Sequence, residues 1–110
     1  MARPTKLLTK AVLKQLPPLY ANEDKGLDAS MAYVKFFTPD AGWTWYASEY
    51  DGEDIFFGLV NGFERELGTF SLRELKTVRG ALGLPVERDR FFKPTSLQTL
   101  MDQHEQRRAA

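Results

Sequence analysis

Residues 32–70 read AYVKFFTPDAGWTWYASEYDGEDIFFGLVNGFERELGTF, and this stretch decides the fold. Runs rich in aromatic and β-branched residues are separated by three breaks: Pro39-Asp40-Ala41-Gly42, Asp51-Gly52 and Asn61-Gly62. Asp-Gly and Asn-Gly favour the tight, positive-φ turns that join antiparallel neighbours. The pattern predicts strands over Ala32–Thr38, Trp43 to Tyr50, Ile55–Val60 and Phe63–Phe70, paired as a meander.

Downstream, Ser71 opens a helix. Ser71 and Glu74 stand at capping-box spacing, Phe70 and Leu75 at staple spacing, and Gly80 follows the last turn. Leu72, Leu75 and Val78 form its apolar face, and residues 83–89 are a connector. Arg90 to Phe92 offers a fifth, edge strand. A last helix is predicted from Thr95, with Gln98 at capping-box spacing and Leu97, Leu100 and Met101 as its buried stripe. Arg107 and Arg108 suit its C-terminal end, where the helix dipole favours positive charge.

Upstream, Thr9 caps a helix to Leu16 with Val12, Leu13 and Leu16 on one face, and Pro17-Pro18 ends it. Ala21 to Ser30 is a loop. The expected architecture is a single α+β domain over residues 1–110, a four-stranded antiparallel meander packed on two or three short helices. Residues 1–8, apart from Leu7 and Leu8, and residues 106–110 are expected to be mobile. One sheet face, carrying Val34, Phe36, Leu67 and part of the Phe56-Phe57 pair, is expected to meet the helices, leaving the other open to a partner.

Composition excludes several chemistries. The 110 residues include no cysteine, so disulfide scaffolds, thiolate metal sites and cysteine nucleophiles are ruled out. His104 is the only histidine, which leaves a histidine triad or multi-histidine metal site without a second member. The glycines match no phosphate-cradling loop. Met1 to Pro18 lacks a long apolar stretch, and the longest apolar runs, such as Ile55 to Val60, are too short to span a bilayer. A soluble, cytoplasmic protein without membrane attachment or cofactor is the expectation.

The zero net charge is unevenly distributed. Residues 1–39 hold six basic and three acidic groups, residues 40–72 one and seven, and residues 73–110 eight and five. A dedicated nucleic-acid binder shows a dominant basic footprint, whereas this chain has an acidic middle.

Four groups of residues are candidates for function. Glu49, Asp51, Glu53 and Asp54 straddle a hairpin turn, with Glu64 and Glu66 on the next strand. They could hold a divalent cation, mimic phosphates on a partner, or simply keep a turn solvated. Trp43 and Trp45 share a sheet face opposite Tyr46, as core or as an aromatic platform, with Trp43 the more exposed. Glu87-Arg88-Asp89 could position a substrate or tie the connector down by charge-assisted hydrogen bonds. Arg79, Arg88, Arg90 and Lys93, with Trp43, could instead line a single-stranded nucleic acid.

Several blocks carry a family resemblance. They are Val34-Lys35-Phe36-Phe37-Thr38-Pro39-Asp40-Ala41-Gly42, Thr44-Trp45, Glu49, Phe57-Gly58-Leu59, Glu66-Leu67-Gly68, Ser71-Leu72 and Glu74-Leu75. Arg79-Gly80, Gly83-Leu84-Pro85-Val86-Glu87-Arg88-Asp89 and Phe92 continue them. In order and spacing the chain resembles the bacterial domain-of-unknown-function family 2958 (DUF2958) across roughly residues 32–97. The resemblance implies cargo of plasmids, phages and integrative elements, near DNA-modification, replication or anti-defence genes. It carries no catalytic residues over.

The leading expectation is therefore a non-enzymatic accessory binding module of mobile genetic elements. Its partner would be a protein of DNA processing or host defence, met through Trp43, Glu49, Asp51, Glu53, Asp54, Glu64 and Glu66 as by an anti-CRISPR-like inhibitor. Lysine at Glu49, Asp51 and Asp54 is then expected to abolish binding without unfolding the domain. The alternatives are the direct single-stranded nucleic-acid binder and a small metal-dependent hydrolase using Glu49, Glu66, Glu87 or Asp89.

Overall fold

A computed structural model describes residues 6–109, with side chains to residue 103. Helix α1 (Lys10–Gln15) is followed by strands β1 (Met31–Ala32), β2 (Val34–Phe37), β3 (Thr44–Tyr50), β4 (Ile55–Asn61) and β5 (Arg65–Ser71). Then come α2 (Leu72–Thr77), β6 (Glu87–Arg88), β7 (Thr95–Ser96) and α3 (Leu97–Ala109). The main sheet is antiparallel in the order β5-β4-β3-β2-β6, and β1 and β7 form a separate two-stranded clasp. The α+β meander expected from residues 32–70 is present.

The expected first strand breaks at Tyr33, so that β1 pairs with β7 while β2 joins the main sheet. The edge strand is Glu87–Arg88 and not Arg90–Phe92. Asp89 ends it: its carboxylate accepts the Phe91 N–H at 2.9 Å and turns the chain. Helix α2 stops at Thr77 with Val78 as C-cap, short of Gly80. At α3 the cap is Ser96, whose Oγ accepts the Thr99 N–H at 3.1 Å, while Thr95 belongs to β7. Ser71 caps α2 as its spacing requires, with its Oγ accepting the Glu74 N–H.

A bulge in β3 has the largest consequence for the candidate site. Ala47 pairs with Gly58 and Glu49 with Phe57, leaving Ser48 as the extra residue. Its Oγ donates to the Met31 carbonyl at 2.7 Å and accepts from the Asn22 amide. The bulge flips everything after it. Strict alternation would put Glu49 beside Trp45 and Ala47; instead it shares a face with Phe57, and Tyr50 turns toward Phe56.

Both faces of the sheet are covered, which corrects the expectation of an open one. On the first face Val34, Phe36, Trp45, Phe56, Phe70 and Leu75 form a core against Leu7, with α1 and α2 supplying Val12 and Leu72 and their C-caps supplying Leu16 and Val78. Phe56 is its hub, with ring centres 4.5 Å from Tyr50, 5.2 Å from Phe70 and 5.5 Å from Phe36. On the second face Ala32, Tyr46 and Leu59 pack under Leu97 and Leu100 of α3, with Leu27, Phe57, Phe92 and Met101 alongside. The reason lies in β3 and β4, where both alternating sets, Trp45 with Phe56 and Tyr46 with Leu59, are apolar. Leu67 pairs with Leu59, so it belongs to this second face rather than to the Phe36 face. Among the described residues no helix is long and apolar enough to cross a membrane.

Candidate functional site

The acidic residues divide between the two ends of the strands. Tyr50 pairs with Phe56 and Thr44 with Asn61, so Asp51 to Asp54 turn at one end while Trp43 and Asn61 to Glu64 lie at the other. At the first end each carboxylate except Glu53 is committed to backbone. Glu49 is buried, and its Oε1 and Oε2 accept the N–H groups of Tyr20 and Asn22 at 2.8 and 2.9 Å. Asp51 Oδ1 accepts three N–H groups, those of Glu53, Asp54 and Ile55. Asp54 accepts the Ser71 hydroxyl at 2.7 Å and the Arg73 N–H at 2.8 Å, joining the hairpin to the first turn of α2.

Protonation reflects these bonds. The backbone N–H groups of Glu53 and Asp54 hold the Asp51 carboxyl below its ordinary value. Asp54 is lowered by the Ser71 hydroxyl first and the Arg73 N–H second. Burial raises the Tyr50 phenol, assisted by the charges of Asp51, Asp54 and Glu53. Reversing Glu49, Asp51 and Asp54 to lysine would dismantle these turns, so the expectation that the fold tolerates it is corrected. Glu49, Glu66, Glu87 and Asp89 are likewise not gathered. Glu66 shares the Trp45 face through Val60, whereas Glu49 faces the other way. Among the described residues no group of three acidic or histidine side chains is placed to hold a metal.

At the opposite end an aromatic column runs from core to surface. Trp45 is buried, and Trp43 stacks on it at 5.9 Å with planes 27° apart. Phe63 meets Trp43 edge-on at 5.4 Å and 82°, yet is 94% exposed. Thr38 holds the Trp43 backbone from both sides: its Oγ1 accepts the Trp43 N–H, and its own N–H donates to the Trp43 carbonyl. The Trp43 ring lies across Gly62, where a Cβ would collide with it, so glycine is required there. Glu64 and Glu66 flank the column, both exposed. Phe63 was not among the residues singled out from sequence. Its place directly after Asn61-Gly62, at a hairpin tip where a buried aromatic is not expected, was the available signal.

The basic candidates are separated too. Arg79 Nη1 donates to the carbonyls of Lys76 and Val78, and Arg88 Nε to that of Lys6. Arg88 and Asp89 thereby do the connector-tying work, with Asp89 3.8 Å from Lys35 Nζ. Arg90 and Lys93 are exposed. Arg90 lines a cleft of about 350 Å³ with Lys35, Phe37, Arg88, the carboxylates of Glu87 and Asp89, and Phe91, the last 86% exposed. His104 lies beyond the described side chains.

Other residues of the blocks quoted above have structural explanations. Asp40 Oδ2 accepts the N–H groups of Leu82 and Leu84, and its Oδ1 occupies the space a Cβ on Gly80 would need. Gly58 lies so close to the Tyr46 carbonyl that no side chain fits.

Fold and site together define a small two-faced α+β module with an acidic, aromatic tip. The chain belongs to the family described as protein of unknown function DUF2958, whose model matches residues 7–107. No curated protein and no solved structure matches it.

Proposed function

We propose that the protein is a non-enzymatic binding module whose docking point is the Trp43–Phe63 tip with Glu64 and Glu66. The carrying observation is that Phe63 is almost wholly exposed yet braced edge-on against a stacked tryptophan pair. A large aromatic held in place at the surface loses little entropy on binding, which is the property of an interface anchor. Two carboxylates beside it favour a partner with a basic rim around an apolar socket. The mobile-element setting, a target in DNA processing or host defence, and a cytoplasmic location rest on the family resemblance and the cysteine-free composition.

The test is affinity capture from a bacterial host with the unaltered chain, Phe63→Ala and the Glu64→Lys/Glu66→Lys pair. A protein retained by the first and lost with both variants is expected. The same proteins on all three baits would refute the docking point. A second reading is favoured by Phe91, whose exposed ring beside Arg90 suits base stacking at a cleft whose three cations outnumber its two carboxylates. Under that reading the captured species is nucleic acid, and Phe91→Ala abolishes it while Phe63→Ala does not.

A further inference from the structure

A second cavity, on the α3 face, is separate from the aromatic tip. Its volume is about 400 Å³, within the range of small-ligand sites. Leu19, Leu27, Phe57 and Leu97 give it apolar walls, Thr69 of the edge strand forms part of its lining, and Glu49 contributes the carboxylate.

Two features distinguish it from a packing gap. First, the loop that walls it is fastened at both ends. Glu49 grips the N–H groups of Tyr20 and Asn22, and the carbonyls of Leu27 and Ser30 accept the Gln98 and Leu97 N–H groups at the start of α3. Tyr20 is held at φ 69°, a left-handed conformation uncommon outside glycine. The loop is thus tied at both ends, with Leu27 packed on the same core as Phe57, and frames the cavity. Second, Glu49 is a buried carboxylate with no cation within ion-pair distance among the described residues, whereas buried charges are normally paired. Its two oxygens each accept one N–H and retain a lone pair for a further donor.

We propose that this cavity binds a small organic cation, with an ammonium head on Glu49 and an apolar body against Leu27, Phe57 and Leu97. The walls supply the hydrophobic contact and the bulge at Ser48 supplies the charge, because it turns Glu49 to this face. Lys25 and Glu23, also in the lining, add one charge of each sign, so with Glu49 the charged groups of the lining sum to one negative charge.

The probe is phenethylamine, titrated into 15N-labelled protein and followed by amide chemical shifts. Saturable shifts confined to the amides around Tyr20, Asn22, Phe57 and Thr69 are expected. 2-Phenylethanol and 3-phenylpropionate should bind at least about tenfold more weakly, ~1.4 kcal/mol, as a hydrogen bond to a charged group implies. Glu49→Gln should reduce the amine to the level of the alcohol. Because that variant also weakens the loop, Thr69→Phe provides an independent block: it fills the cavity from an exposed edge-strand position, keeps Glu49, and should abolish binding without lowering the melting temperature. Equal binding of alcohol or acid, no saturable shifts with the amine, or unchanged binding by Thr69→Phe would overturn the assignment.

Discussion

In a Glu49→Ala variant, the Tyr20 and Asn22 N–H groups lose the carboxylate oxygens now 2.8 and 2.9 Å away. A hydrogen bond to a charged group is worth about 1.5–3 kcal/mol, so the pair amounts to about 3–6 kcal/mol. Two effects reduce this. Tyr20 is released from its left-handed backbone, which returns about 1 kcal/mol or more, and water reaches part of the freed loop. The expected net loss is therefore about 2–4 kcal/mol, a drop of roughly 10–20 °C in melting temperature for a domain of this size. Urea unfolding followed by the fluorescence of Trp43 and Trp45 reads it directly, as a lower midpoint at unchanged slope. Hydrogen exchange at the Tyr20 and Asn22 amides should accelerate in parallel. Glu53→Ala is the control, since Glu53 is exposed and should shift stability by no more than about 0.5 kcal/mol. A Glu49→Ala loss under about 1 kcal/mol would refute the structural role given to this carboxylate.

The remaining predictions concern acid, base and caps. Asp51 and Asp54 have folded-state pKa values below the ordinary 3.8, so their contribution is complete above that value and is lost as pH falls through the lowered ones. Melting temperature should fall below pH 4, and less steeply in Asp54→Asn; identical acid profiles would contradict this. Tyr50 behaves oppositely: its pKa is raised above 10.0, so stability should decline as pH climbs past 10. Phenylalanine at this position should remove that alkaline component. For α3, Ser96→Ala should cost about 1 kcal/mol in thermal or urea unfolding and Thr95→Ala clearly less. The reverse order would return the cap to Thr95.

What could be read from the sequence was local. Asp51-Gly52, Asn61-Gly62 and the Ser71–Glu74 spacing are short-range signals, and each element they mark is present. The bulge at Ser48 was not legible, because it depends on Met31 and Asn22, 17 and 26 residues away. Missing it hides which way Glu49 points and therefore its capture by the 20–22 loop. Coverage of the second face was partly legible. Tyr46, Phe57 and Leu59 already made the opposite alternating set apolar, but three short helices gave no means of assigning them to faces. The acidic residues misled for a related reason. In sequence a carboxylate near a turn looks available to a partner, whereas Asp51 and Asp54 accept N–H groups that converge on them only once the turn and helix have formed.

The division of the two cores along the chain has a consequence for biosynthesis. Everything that buries Phe56 lies between Leu7 and Val86, whereas most of the cover for Tyr46 and Leu59 comes later, from Phe92, Leu97, Leu100 and Met101. Chain elongation runs at about 5–20 residues per second, so the last residue of the first layer is made before the residues of α3 that cover the second. During that interval one broad greasy surface stays wet and prone to sticking. The β1–β7 clasp, joining Met31 to Ser96, is the latch that ends it.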